Sequence, residues 1–460
     1  MIRLFKHYVP TPLLVLGVIE FLLLLVSADV AWRLRALQID TDPNEAHLTE
    51  TLIFAVVMSL VMLAVGLYQY EGFRTLRMTV TRLLAAFAIG SAALSVIFYA
   101  LPGVALWRSI LFYAALLSFT SLVIARSVFS RLVNWDRLRR RVLVLGAGDR
   151  AAKLIDVSQA PEAGFQVVES IRMTDQEPTV GRAVPREQAG SIFRLATQHR
   201  VDDIVLAIEE RRGALPVDEL LQAKLSGIRV CEMSSFLERE TGRVDLASVS
   251  PSWLIFSDGF LGAQRQAVIT KRLFDVVASS LLLTLSSPIL LVTALLIKLT
   301  SPGPIFYRQE RVGQLGQPFD VIKFRSMAVD AEKDGKPQWA QQDDPRVTPI
   351  GRFIRATRID EIPQIFCVLK GDMSFVGPRP ERPFFVRELA EQIPFYNERH
   401  VVKPGITGWA QLNYPYGASV EDARHKLEYD LYYVKNYSLF LDLLILIQTV
   451  RVVLWRDGVR

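Results

Sequence analysis

The sequence predicts a mixed membrane protein of 460 residues. Its parts are a four-helix transmembrane bundle, a Rossmann-like α/β middle domain, and a second α/β domain reached through a re-entrant membrane helix. Three observations carry this prediction. Four apolar runs near the N-terminus each approach the ~20 residues that a helix needs to cross a bilayer. Residues Arg141–Met233 then alternate short apolar strands with helical segments, the signature of a parallel sheet. A fifth apolar run, Val276–Leu299, is interrupted by Pro288 and followed by a chain of soluble composition. The overall balance agrees: 51% of residues are hydrophobic and the net charge is +6. The basic residues cluster beside apolar runs, which suits a membrane surface and anionic ligands and excludes nucleic acid as the partner.

The first domain spans residues 1–130. Its runs cover roughly Pro10–Ala31, Thr51–Tyr70, Leu83–Leu101 and Leu106–Ala125. Arg3, Lys6 and His7 precede the first, and the loop after it is acidic, with Asp40, Asp42, Glu45 and Glu50. Arg74, Arg77 and Arg82 follow the second run; Arg126, Arg131, Arg137 and Arg139–Arg141 follow the fourth. Positive charge stays inside, so both ends of the bundle and all that follows are expected in the cytoplasm.

The middle domain, 140–235, opens with RVLVLGAGDRA, a strand, a glycine turn and a helix. Gly146, Gly148 and Ala151 match the spacing that lets a backbone approach a pyrophosphate, and Glu169 lies where a ribose partner could sit. The same pattern also describes a sheet of this kind that binds nothing. Asp202 and Asp203 are expected to flank a strand on its solvent side. Residues 236–267 read as a linker. Cys231 and Cys367 sit far apart inside apolar runs and have no zinc-site spacing.

The last domain spans 268–460. Its apolar run has basic flanks at both ends, Lys271 and Arg272 before and Lys298 after. Proline interrupts the helical hydrogen-bond ladder, and the Ser286 and Ser287 hydroxyls can satisfy freed carbonyls. A helix–break–helix over 272–299, centred on Ser287 and Pro288, would enter and leave by one face; a kinked transmembrane helix is the alternative. A β-hairpin follows, with Ile305–Gln309 and Phe319–Phe324 as its strands, and Lys323 and Arg325 add cations. Helices are expected at Phe385–Glu391, Glu421–Tyr437 and Leu439–Trp455, the last on the membrane surface or packed on the domain.

Within this domain Asp360 and Glu361 stand between Arg352, Arg355 and Arg358 on one side and Arg379 and Arg382 on the other. Pro363 permits a helix to begin beside them, so both acids are expected in a first helical turn. There the free amides and macrodipole favour an ionised carboxylate and an incoming phosphate alike. An ionised acid among anion-binding groups suits phosphoryl transfer. Such a pair is more often a solvated helix start held by salt bridges.

The runs KRLFD, SSP, YRQERVG, KFRSM, RIDEIPQ, GDMSFVGPRP, KPGITGWAQ and YDLYYVKNYS, in that order from Lys271, resemble the bacterial monotopic phosphoglycosyl transferases. The whole layout resembles the large subclass of these enzymes and the sugar transferases found beside PEP-CTERM sorting systems. The resemblance implies that Asp360 is a nucleophile that attacks a UDP-sugar, releases UMP and hands a phosphosugar to polyprenyl (undecaprenyl) phosphate. It implies that Glu361, with Asp360, positions Mg²⁺, that Arg379 clamps phosphate, and that Ser287 and Pro288 shape the re-entrant helix. Arg358, Arg325, Lys323, Lys403, Gln411 and Asp430 are the further candidates for phosphate or substrate. The implied setting is the cytoplasmic face of the bacterial inner membrane, with a homodimer as the assembly. A membrane-bound nucleotide-sugar dehydratase would need a Tyr-x-x-x-Lys pair, and no tyrosine here has lysine four residues on. A non-enzymatic scaffold would tolerate loss of Asp360.

Overall fold

The computed structural model describes residues 2–4, 7–9, 11–38, 47–68, 76–104, 106–132, 139–160, 163–173, 183–209, 215–249, 251, 255, 259–260, 265–328, 346–415, 417 and 419–455. The chain folds as two compact units, one built on Tyr8–Gly242 and the other on Arg243–Arg460.

The first unit begins with helices Thr11–Ala36, Leu48–Ala64, Leu76–Ala100 and Arg108–Leu132. Their outward faces carry Val18, Leu22, Val26, Leu84, Val96 and Leu116, all exposed, as expected of helices solvated by lipid. Leu24, Phe54, Met58, Leu83, Leu94 and Leu122 fill the space between them. Three of the four are long and apolar enough to cross a membrane; Leu48–Ala64, at 17 residues, is shorter. Arg126, counted above among the loop cations, is buried instead. Its guanidinium pairs with Glu20 at 2.6 Å and donates to the Leu67 carbonyl at 2.9 Å. The Tyr68 hydroxyl also donates to Glu20, at 2.6 Å. An apolar bundle leaves a charge no water, so the two ions and the turn after the second helix satisfy one another. The acidic residues Asp40, Asp42 and Glu45, and Arg74 and Arg137, lie outside the described residues.

The same unit holds a five-stranded parallel sheet, in spatial order Ala183–Pro185, Phe165–Arg172, Arg140–Leu145, Asp203–Leu206, Arg229–Glu232. The order reverses beside the first strand, as in doubly wound folds. Leu143 and Leu145 face one core, and Val142 and Val144 face the other, so the strand is apolar throughout. Two expectations are corrected here. Asp203 is fully buried, not solvent-facing, between Arg140, Arg229 and Arg239. The expected linker starts inside a helix, Met233–Thr241, which ends on the left-handed Gly242.

The second unit is entered by one helix, Arg265–Thr300, with Pro288 inside it. The helix runs on through the proline without an unwound break. Proline denies the Thr284 carbonyl its amide donor, and the Ser287 hydroxyl donates to that carbonyl at 2.8 Å. The strands Phe306–Val312 and Pro318–Phe324 form the expected antiparallel hairpin, with Tyr307 opposite Lys323. Then come the helix Pro349–Ala356, a 3₁₀ turn Ile359–Gln364 and the helix Ile365–Lys370. Parallel strands Ser374–Val376 and Gly405–Thr407 bring two loops into backbone contact. A Cβ on Gly405 would lie 2.1 Å from the Gly377 nitrogen, so only glycine fits. Helix Val420–Lys435 starts with a Ser419–Asp422 capping box. Helix Leu439–Trp455 packs Leu441 and Ile445 into the core beside Met373, Val376, Leu431 and Tyr433.

Candidate active site

Asp360 and Glu361 sit in the first turn of the Ile359–Gln364 3₁₀ segment, which Arg358 enters in the left-handed conformation (φ 59°). The helix after it closes on the left-handed Gly371. Its last carbonyls are capped by Arg272, which donates to Val368 O and Leu369 O, both at 2.6 Å. The acid-bearing turn is therefore held at its far end by the long helix. At its near end Ile359 packs on the cluster of Ile297, Phe324 and Ile354.

The two acids are treated differently. Glu361 Oε1 accepts from Lys323 Nζ at 2.8 Å and from Arg379 Nη2 at 3.0 Å. Burial would raise its carboxyl, but Arg379 and then Lys323 hold it below the usual carboxylate range. Asp360 makes no hydrogen bond or ion pair among the described residues, and its Oδ1 is buried without a partner. Burial first, and the Glu361 charge second, push its carboxyl up to about 6, against Lys323, Arg358 and Arg355. The helix-start field expected at both acids is opposed at Asp360 by burial and by its neighbour, and the carboxyl still ionises by neutral pH. Burial also lowers Lys323, with Glu361 opposing. The arrangement offers one carboxylate that holds two cations on a single oxygen, Glu361 Oε1, and one unspent carboxylate beside it. This pair, with phosphate oxygens from a ligand, matches how Mg²⁺ is usually held, by one or two carboxylates. Among the described residues no group of three or more His, Cys, Asp or Glu side chains could hold a metal by itself.

The remaining candidates divide. Lys323, Arg358 and Arg379 lie at the acids, Arg358 exposed. Arg325 is buried and spends its Nη donors on Pro302 O and on Ser301 O and Oγ, so it ties the end of the long helix to the hairpin. Lys403 lies near Gly371 and Arg272; burial and then Arg272 lower its pKa. Gln411 donates to the Ile406 carbonyl at 3.4 Å, inside its own loop. Asp430 is buried and pairs with Arg399 at 2.7 Å, so it faces a protein cation and not open space. Ser287 and Pro288 lie within the long helix, as described above. Arg399 and Arg311 hold the backbone of the Arg379 turn, donating to Arg379 O at 3.0 Å and to Pro380 O at 3.1 Å. Sequence reasoning gave neither a role: Arg311 lies inside the YRQERVG run, and Arg399 lies outside every run named above.

In the first unit, Gly146, Ala147, Gly148, Arg172, Met173, Ala207, Ile208 and Glu209 line a shallow cleft at the carboxyl ends of the parallel strands. Gly146 is at φ 139°, and a Cβ there would lie 2.6 Å from Ala207 O, so packing alone demands glycine. Glu169 does not reach the cleft. It lies within its strand opposite Leu143, and Arg172 occupies the strand end.

Comparison with known proteins gives two family matches. Residues 266–456 match the bacterial sugar transferase family, and residues 63–222 match a CoA-binding domain family. A UDP-N-acetylgalactosamine-undecaprenyl-phosphate N-acetylgalactosaminephosphotransferase of Aeromonas hydrophila is 45% identical over 52% of this chain and 56% of its own length. A UDP-glucose:undecaprenyl-phosphate glucose-1-phosphate transferase of Escherichia coli K12 is 35% identical over 72% of each chain. An uncharacterized sugar transferase of Bacillus subtilis is 44% identical over 42% of this chain and 91% of its own.

Proposed function

The chain belongs to the bacterial sugar transferase family, and from that premise we propose that it moves a sugar-1-phosphate from a UDP-sugar to undecaprenyl phosphate by way of Asp360. A carboxylate oxygen of Asp360 attacks the phosphorus that bears the sugar. The bond from that phosphorus to the UMP oxygen breaks, and UMP leaves. An oxygen of undecaprenyl phosphate then attacks the same phosphorus, a diphosphate forms, and the carboxylate is regenerated. The observation that carries this reading is the asymmetry of the acids: Glu361 is occupied by Lys323 and Arg379, whereas Asp360 is unspent. A nucleophile needs a free electron pair, and its neighbour needs to hold cations where the phosphate's charge moves. Two separate displacements let UMP depart before the second anion arrives.

Asp360 and Glu361 would hold Mg²⁺ together with substrate oxygens, and the ion supplies charge compensation on the phosphates. Lys323 and Arg379, fixed by Glu361, orient the diphosphate. Chelation with EDTA is expected to stop turnover; unchanged rates would remove the metal from the account.

The lipid acceptor carries its phosphate at headgroup depth, so the site must lie at the cytoplasmic surface. Helix Arg265–Thr300 provides this if both its ends emerge on that face. The anchors support such a path, because Arg272 and Ile297 hold opposite ends of one short segment. A straight helix separates those residues by about 37 Å, whereas nine residues of helical turn from Ile359 to Val368 cover about 16 Å. Bending at Pro288 reconciles the two lengths. A cysteine in place of Ile289, beside the proline and exposed, is then expected to resist labelling from the periplasm, and labelling there would mean a crossing.

The reaction is tested by incubating membranes with UDP-glucose, UDP-galactose and UDP-N-acetylated sugars plus undecaprenyl phosphate. Release of UMP with formation of a lipid diphosphate sugar, lost in Asp360→Asn, is expected. Retained activity in that variant would remove Asp360 as the nucleophile, and no UMP release even by the wild-type protein would favour a role for the chain as a scaffold.

A further inference from the structure

We infer that Asp430 and Arg399 are a positioning pair that sets where the Arg379 guanidinium arrives, acting through the backbone of residue 379 without touching substrate. The inference rests on the reaction proposed above. Asp430 comes from helix Val420–Lys435 and is 1% exposed; Arg399 comes from the 3₁₀ segment Tyr396–Val401 and is 6% exposed. Arg399 Nη2 meets Asp430 Oδ2 at 2.7 Å and donates to the Arg379 carbonyl at 3.0 Å. Its Nη1 donates to the Tyr396 hydroxyl at 2.8 Å, and its carbon lies 5.2 Å from the centre of that ring. One planar fork thus joins a helix, a turn and the loop that carries the phosphate clamp.

The other end of residue 379 is its side chain, which reaches Glu361. Fixing the carbonyl therefore fixes the root from which the guanidinium extends. Burying two charges is costly unless geometry and extra hydrogen bonds offset it. Here the extra bonds go to Tyr396 and to the one carbonyl that matters for the clamp. Lysine could not serve, because a single ammonium on a flexible stem lacks the fork. A displacement of the order of 1 Å at a clamp can cost about a hundredfold in rate, so remote anchoring of this kind is visible in kinetics.

The test is a double-mutant cycle in UMP release by the full-length protein in nanodiscs. Asp430→Asn is expected to lower kcat/KM by about tenfold or more when Arg379 is present. In an Arg379→Lys background it should cost less than about twofold, because the clamp it served is already displaced. A merely structural role would multiply the two losses, and that result overturns the inference. So does an unchanged kcat/KM in Asp430→Asn. Thermal melting by tryptophan fluorescence reports whether Asp430→Asn folds. If it does not, Tyr396→Phe enters the same cycle with the same non-multiplying result expected, and multiplication there counts equally against the pair. A wild-type protein that releases no UMP would instead refute the proposed reaction.

Discussion

Asp360→Asn should abolish UMP release and at the same time make the protein harder to unfold at neutral pH. Burial and Glu361 lift the Asp360 carboxyl from 3.8 to about 6. That rise corresponds to about 3 kcal/mol held against the ionised form, an upper bound because the side chain keeps some exposure. An acid whose pKa is raised by folding favours the folded state most below its unfolded value, and that advantage is lost as pH rises through the folded value. Wild-type protein therefore carries the cost near pH 7.5 and is free of it near pH 4, whereas asparagine never carries it. For a unit the size of Arg243–Arg460 that bound corresponds to at most about 6–12 °C in Tm. Before any metal binds, about a tenth of Asp360 is ionised at pH 5 and about nine tenths at pH 7, so the kinetic counterpart is an acid limb at limiting Mg²⁺. Melting of wild type and variant at both pH values, with single-turnover UMP release at limiting Mg²⁺ from pH 5 to 8, reads both consequences. A rate that is flat across that range, with a variant no more stable near pH 7.5, would refute the reasoning.

Two further perturbations test the surroundings of the site. Lys323→Met removes a cation that lowers both acids. It should move the acid limb to higher pH and reduce kcat/KM by about 10- to 100-fold, the worth of a hydrogen bond to a charged group; an unmoved limb counts against the assignment. Lys271 is buried against Asp442, Tyr433 and Val376 O. Lys271→Met alone should cost about 3–5 kcal/mol, and pairing it with Asp442→Leu should recover most of that in a melting experiment. An equally unstable double variant would mean that packing, not the stranded charge, sets the cost.

The elements of the fold were legible where one local rule governed them. RVLVLGAGDRA is a strand, a turn and a helix, because the apolar run and the glycine turn agree. The hairpin and the acids' place in a first helical turn followed from alternation and from Pro363. What failed depended on contacts between distant residues. Arg126 reads as a loop cation until Glu20, 106 positions away, is seen beside it. Asp203 reads as a solvent-side cap until three arginines enclose it. At the site, the motif singled out Asp360, Glu361 and Arg379 as candidates, and the difference between the two acids' surroundings came only from the partners that folding supplies. Arg399 carried no local signal at all.

The central claim is that Asp360 itself bears the phosphosugar for part of each cycle. It is tested most directly by incubating the protein with UDP-sugar labelled in the sugar, withholding undecaprenyl phosphate, quenching in acid and mapping the label by peptide mass spectrometry. The account requires one equivalent of UMP released and the sugar phosphate on the peptide containing Asp360, discharged when the lipid is added. Label on another residue, or UMP formed only when lipid is present and with no protein-bound sugar, would contradict it.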